Sequence, residues 1–280
     1  MFSASCDVPQ PRRVRWICPA PWARLPLVFD AERLTADLQK VPPGEWLPHY
    51  NRTDYDGDWT GVALRSSGGS ARELFNNPDA AEFRDTPVLK LCPYFQEAIS
   101  RFECPLRAVR LLRLSPGSRI LEHTDYGLKY HDGDLRIHIP IETNPETQFV
   151  VDGRRLILSA GETWYIDFSL PHRIHNRGTS DRVHMVIDGA VNEWAHAMIA
   201  AAEYPEGAEA EPDSDFPKFR ELVYGDPNLQ RQLLAVWDQE AFCEVAVRLG
   251  RDRGLSFLTA DVAVAIRSGK RSWFERAVEF

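Results

Sequence analysis

Residues 107–126, "RAVRLLRLSPGSRILEHTDY", hold the reading on which the fold turns. "RAVRLLRLS" is an apolar run with strand character, and "PGS" supplies the turn chemistry to reverse it. "RILEHTDY" resumes as a second strand and ends on His123-Thr124-Asp125. The texture continues downstream. "LRIHIPIET", "TQFVVD", "RRLILS", "ETWYIDFS" and "DRVHMVIDG" are short strands separated by "HDGD", "GRR", "AG" and "HNRGTS". Seven or eight strands at this spacing predict a mainly β body of jelly-roll type.

Upstream, "DAERLTADLQKV" predicts a first helix capped by Asp30 and ended by Pro42-Pro43. "WTGVALRS" predicts a strand, and a further helix follows from about Pro93. Residues 1–29 are Pro-rich and read as an irregular arm, 30–200 as the β body with flanking helices, and 201–215 as a linker of Pro, Gly, Ala and acid. Residues 216–280 carry helical spacing, with Asp226, Asp238 and Thr259 where N-caps belong, and predict a small C-terminal all-α module.

A net charge of -8 argues against a nucleic-acid or anionic-membrane partner, because either needs a cationic face. No apolar run approaches the length of a membrane helix, and the Arg-bearing, Pro-broken N-terminus is wrong for a secretory signal. Five scattered cysteines without a C-x-x-C pair suggest neither a disulfide framework nor a zinc knot. A reducing, cytoplasmic setting is the expectation.

His123 and Asp125 share one side of a strand by the two-residue period. By itself such a pair equally suits an ordinary polar turn. A facial iron site needs two imidazoles and one carboxylate, so the third ligand would be a histidine on a later strand. "SLPHRIHNRG" offers two, His172 and His175. Ten residues past His172, Arg182 enters the last strand of the β body, and an arginine in an apolar interior needs a carboxylate partner. Arg136 and His138 share a face opposite Ile137 and Ile139 and form a second polar pair for the same anion.

"HTDY", "LRIHIPIETN", "GETWYIDFSLPH" and "DRVHMVID", in this order and spacing, resemble the aspartyl/asparaginyl β-hydroxylase family, most of all its bacterial proline-hydroxylating members. The resemblance implies a double-stranded β-helix, cupin-like, that uses Fe(II), 2-oxoglutarate and O2 to hydroxylate an amino acid or an amino-acid side chain in a peptide, with release of succinate and CO2. It makes His123, Asp125 and His172 the metal ligands and assigns no such role to His175. Arg182, with Arg136 and His138, would bind 2-oxoglutarate. Leu112 stands where some members have a serine that helps hold this co-substrate.

The loop "YGLKYHDGD" follows the His-Thr-Asp strand, and Tyr126, Lys129, Tyr130 and His131 are candidates to touch substrate, with Trp164 on a later strand. The helical tail resembles the Nif11-like domain, which implies handling of a leader peptide; the alternative is a helical cap that packs on the barrel or mediates contact between copies of the chain. Two other readings compete: a cupin-like protein that binds metal or a small acid without turnover, and a peptide-docking adaptor working through its tail.

Overall fold

The computed structural model describes residues 20–77, 79–125, 128, 130–209 and 214–267. Its strands are, in chain order, β1 (Trp22–Val28), β2 (Leu47–Pro48), β3 (Tyr55–Asp56), β4 (Trp59–Ser66), β5 (Arg84–Asp85), β6 (Leu106–Leu114) and β7 (Arg119–His123). They continue as β8 (Asp134–Glu142), β9 (Thr147–Val151), β10 (Arg154–Leu156), β11 (Glu162–Ile166), β12 (His172–Asn176), β13 (Arg182–Ala190) and β14 (Ala208–Glu209). The larger sheet has the order β1-β11-β8-β13-β6-β4-β2, with β5 on β4, and the smaller has β14-β10-β9-β12-β7-β3. All these pairings are antiparallel, and the two sheets form the expected double-stranded β-helix.

Parity along the strands sorts the side chains. On β6, β8, β11 and β13 odd-numbered residues such as Leu111, Ile137, Ile139, Tyr165, Met185 and Ile187 pack against helices α1 (Ala31–Leu38), α2 (Pro87–Lys90), α3 (Pro93–Ile99) and α4 (Glu193–Ala200). Even-numbered Leu112, Leu114, Trp164, Ile166 and Val186 face the barrel interior with Ile120, Phe149 and Ile174 of the smaller sheet. Each fully buried aliphatic or aromatic side chain contributes about 1.5–3 kcal/mol. Because the larger sheet is covered on both faces, its strands lack polar alternation, and β13 is buried at all but its last position.

Local chemistry places the turns and helix ends. Asp152 and Gly153 both have positive φ (48° and 74°) and close the β9–β10 hairpin with two residues. Asp30 caps α1 by accepting from the Arg33 amide at 3.1 Å.

Two boundaries differ from the sequence expectation. The arm ends in a true strand, since β1 pairs with β11 through Trp22 to Leu25. The described part of the 201–215 stretch lies against the barrel: Arg24 and Glu203 form a bridge, Trp22 Nε1 donates to the Pro205 carbonyl at 2.6 Å, and β14 pairs with β10. Backbone pairing and a buried indole overrode a polar composition there.

After this strap, α5 (Phe216–Gly225), α6 (Pro227–Leu234), α7 (Gln239–Arg251) and α8 (Thr259–Arg267) build a module around its own core of Phe219, Val223, Leu229, Leu233, Ala246 and Val262. Asp226 and Asp238 cap α6 and α7 as expected. The module meets the barrel where Arg119 of β7 faces Asp261 of α8 at 3.7 Å. Among the described residues no helix is long and apolar enough to cross a membrane.

Candidate active site

The smaller sheet brings two histidines together by register. His172, the first residue of β12, pairs directly with His123, the last of β7, and their ring centroids lie 4.3 Å apart. The chain then turns so that the Asp125 amide donates to the Phe168 carbonyl at 2.8 Å, which brings the Asp125 carboxylate beside the two rings. Ligand atoms of His123, Asp125 and His172 all lie within 4.8 Å of one another. His175 follows on the opposite face of β12, next to the Arg177 Nε at 3.2 Å.

Hydrogen bonds fix which ring nitrogen each histidine offers. His123 Nδ1 lies 2.7 Å from the Leu121 carbonyl and His172 Nδ1 lies 3.0 Å from the Leu170 carbonyl, so both carry a proton on Nδ1 and turn Nε2 to the cluster. Burial, and next the neighbouring His123, push the His172 imidazole down to about 4. At neutral pH it is therefore uncharged and able to bind a cation. Burial opposes a charge on Asp125, but the Arg136 guanidinium and the hydrogen bond to His123 override it and hold the carboxyl far below the usual carboxylate range. Burial opposes a charge on His123, but its contact with Asp125 overrides it and raises the imidazole above its ordinary value, so a divalent cation of the iron type would take the place of the Nε2 proton among two imidazoles and one carboxylate.

The same cavity, about 810 Å³ in volume, reaches Arg182. Arg182 is 1% exposed, and among the described residues it meets no carboxylate. Burial alone pushes its guanidinium down to about 9. It sits over the Phe149 ring at 5.4 Å and donates through Nη2 to His184 Nδ1 at 2.8 Å, while its Nε has no hydrogen-bond partner. His184 Nδ1 must then be the acceptor, which makes His138 Nδ1, 3.2 Å away, the N–H bearing atom and leaves His138 Nε2 without a partner. Burial and then the nearby Arg182 charge hold both histidines well below the ordinary imidazole value, so both are neutral. A buried cation with unused donors suits a carboxylate ligand, bound in bidentate fashion.

Arg136 behaves differently from the expectation of a co-substrate contact. It is already engaged by two carboxylates, Asp188 through Nε at 2.6 Å and Asp125 through Nη1. Both Arg136 and His138 line the cavity, His138 stacked on Phe168 with centroids 4.8 Å apart. Leu112 also lines the cavity and lies across from His184, so the wall there is apolar.

The substrate candidates fare less well. Tyr126 and Lys129 lie outside the described residues. Tyr130 is turned away into the helix-side core, where its hydroxyl meets His196 Nδ1 at 2.8 Å. His131 is exposed and pairs with Asp132 at 3.3 Å. Trp164 packs within the barrel with its indole N–H on Glu162 at 2.9 Å and does not line this cavity. Loop proximity in sequence did not predict direction, because the short 3₁₀ turn at Tyr130–Asp132 sends Tyr130 into the helix-side core, leaves His131 in solvent and puts Asp132 on the cavity. The cavity that holds the His-Asp-His cluster is lined also by His49, Tyr50, Trp59 and Phe75. Sequence reading also passed over Arg110, His184 and Asp188. The signal for the last two was there, since they share even parity with Arg182 in "DRVHMVID".

A profile of the aspartyl/asparaginyl beta-hydroxylase family matches residues 29–191. The chain is 28% identical over 180 residues to L-proline cis-4-hydroxylase of Rhizobium meliloti (strain 1021), a match covering 63% of each chain. It is 25% identical over 205 residues to L-proline cis-3-hydroxylase 1 of a Streptomyces species, covering 69% of this chain and 70% of that one. Among solved structures, an oxidoreductase of the 2OG-Fe(II) oxygenase family from Burkholderia pseudomallei superposes with a TM-score of 0.43 at 16% identity, over 68% of this chain and 89% of the other. The chain thus spans a little under two thirds of the length of the first of these relatives.

Proposed function

Because the chain belongs to the aspartyl/asparaginyl beta-hydroxylase family, we propose that it is an Fe(II)- and 2-oxoglutarate-dependent dioxygenase that hydroxylates an amino acid, free or within a peptide. The observation that carries this reading is Arg182, a buried guanidinium that meets no carboxylate among the described residues, opening on the same cavity as the His123, Asp125 and His172 cluster. One site offers a cation its ligands, and the other offers a dicarboxylate its counter-charge.

In this reading His123, Asp125 and His172 hold Fe(II), and Arg182 holds the far carboxylate of 2-oxoglutarate beside neutral His138. When bound, the metal and co-substrate supply the oxidising chemistry, in which one oxygen atom of O2 enters a substrate C–H bond and the other leaves in succinate, with CO2 released. The protein's own part is placement. Nδ1–H bonds to backbone carbonyls keep both imidazole rings aimed, and Leu112, Phe149 and Phe168 dry the co-substrate end. The His49, Tyr50, Trp59 and Phe75 wall is the acceptor side, where a substrate carbon would be held against the metal. The barrel, residues 30–200, would carry this chemistry, with residues 216–280 as an accessory helical unit for a peptide or a second copy.

The relatives' names make proline and similar small amino acids the first acceptors to try. The test is iron- and 2-oxoglutarate-dependent succinate release across free amino acids and short peptides, with mass spectrometry of each acceptor for the gain of one oxygen atom. Succinate release coupled to an acceptor supports the reading. Tight metal binding with no succinate from any acceptor would favour a protein that only binds metal and small acids.

A further inference from the structure

Arg110, Asp188, Arg136 and Asp125 form a continuous chain of charges across the inward faces of β6, β13 and β8. Asp188 lies directly across from Arg136, and Arg110 faces Val186 one inward position away. Asp188 is fully buried, and both of its oxygens are taken. Oδ1 accepts from Arg136 Nε at 2.6 Å, while Oδ2 accepts from Arg136 Nη2 at 3.1 Å and from Arg110 Nη2. Arg110 is further tied by Nη1 to the Leu74 carbonyl at 3.0 Å. The planar fork of Arg136 is therefore locked by its edge onto Asp188, and only Nη1 is turned to Asp125, where it meets Oδ2. The other oxygen of Asp125, Oδ1, faces His123 Nε2 at 3.5 Å.

We propose that Asp188 is a positioning residue that rations the grip of Arg136 on Asp125, so that one carboxylate oxygen is held by the protein and the other is left for the metal. An arginine–carboxylate pair left to itself settles into a two-toothed contact that occupies both oxygens. Asp188 prevents this by claiming two of the three arms of the guanidinium. It also balances charge, since Arg110 and Arg136 carry two positive charges against the carboxylates of Asp188 and Asp125. Without Asp188 the two guanidinium groups would repel each other, and Arg136 would turn its freed edge onto Asp125, competing with the metal for the second oxygen.

This rests on the metal reading of the His123, Asp125 and His172 cluster, and the experiment separates the two. Full-length protein without 2-oxoglutarate is titrated with Co(II) by calorimetry, and the visible absorption of the bound Co(II) reports ligand geometry. Wild type and His172→Ala test the cluster itself. If His172→Ala binds Co(II) as wild type does, the metal reading falls, and this inference with it. Asp188→Asn and Arg136→Lys test the positioning role, with circular dichroism as the check on folding. Arg136→Lys keeps the buried charge but cannot bridge two carboxylates, so it decides the question should Asp188→Asn fail to fold. The expected result is Co(II) affinity about 10–100-fold weaker in both, the usual consequence of losing an outer-shell partner, with an altered Co(II) spectrum. If His172→Ala abolishes binding while these variants, folded, bind within about twofold of wild type with an unchanged spectrum, the positioning role is overturned and the cluster reading stands.

Discussion

Arg136 and Arg182 stand on neighbouring strands of one sheet, both turned into the barrel, yet one lies between two carboxylates and the other meets none among the described residues. At the Arg136 end, burial opposes the charge but Asp188 and Asp125 more than compensate, and the guanidinium is held above its ordinary value. At the Arg182 end nothing compensates, and burial pushes the group down to about 9. The difference separates structure from function in residues of the same type. A buried cation that is fully paired belongs to the framework, whereas one left unpaired is kept for a ligand that brings the charge.

The largest effects test the cluster that both ends serve. His172→Ala should weaken divalent-cation binding well beyond the roughly 10–100-fold expected for an outer-shell change, while His175→Ala should leave it nearly intact; calorimetry reads both. Equal losses would show that the register argument chose the wrong histidine.

Next comes a direct contrast of the two arginines by thermal and urea unfolding of the unliganded protein. Arg136→Met strands buried Asp188 and Asp125 and should destabilise by about 3–5 kcal/mol. Arg182→Met removes a charge that nothing pairs, and should leave the unliganded protein unchanged or more stable by roughly 1–3 kcal/mol. The same Arg182→Met protein should bind 2-oxoglutarate about 10–100-fold more weakly, the value of a charge-assisted hydrogen-bonded pair. A destabilised Arg182→Met protein with normal 2-oxoglutarate affinity would erase the contrast.

A smaller effect follows from pH. Arg182 titrates near 9 when folded and unliganded, whereas an unfolded arginine keeps its proton up to its ordinary value of 12.5. Between those values the unfolded chain holds more protons, so this residue's penalty on stability is fully present below about 9 and is relieved as pH rises. Binding runs the other way. 2-Oxoglutarate affinity should fall by about tenfold per pH unit above that value, and a titration of Arg182→Met protein should lack the slope.

The smallest change lies farthest from the cavity. Arg119→Gln loses contacts to Asp56 and Asp261, each at 3.7 Å, and should cost about 0.5–1 kcal/mol in unfolding with metal affinity unaltered. A large loss of metal affinity would instead tie the helical module to the His123 strand.

The strands and the cluster were legible in the sequence to different degrees. Turn residues such as Asp152-Gly153 and the spacing of apolar runs mark most strands, because these are local preferences. β1 and the strap at 203–209 were not legible, since short segments become strands only when a neighbour offers its edge. Tyr130 and Trp164 were misplaced for a related reason: being near the site along the chain does not decide which face of an element a side chain takes.

By itself the sequence determined the β texture and the helical tail, because those follow from period and turn chemistry; residue type marked His123, Asp125, Arg182 and the two later histidines, His172 and His175, as candidates, and only the family resemblance singled out His172. Only the tertiary structure decided which arginine is free. That depends on Asp188 lying opposite Arg136 in the strand register, with Asp125 brought alongside by the turn after β7, and on no carboxylate reaching Arg182 among the described residues. Charge pairing in a buried site is settled by partners far apart in the chain, and no local pattern records it.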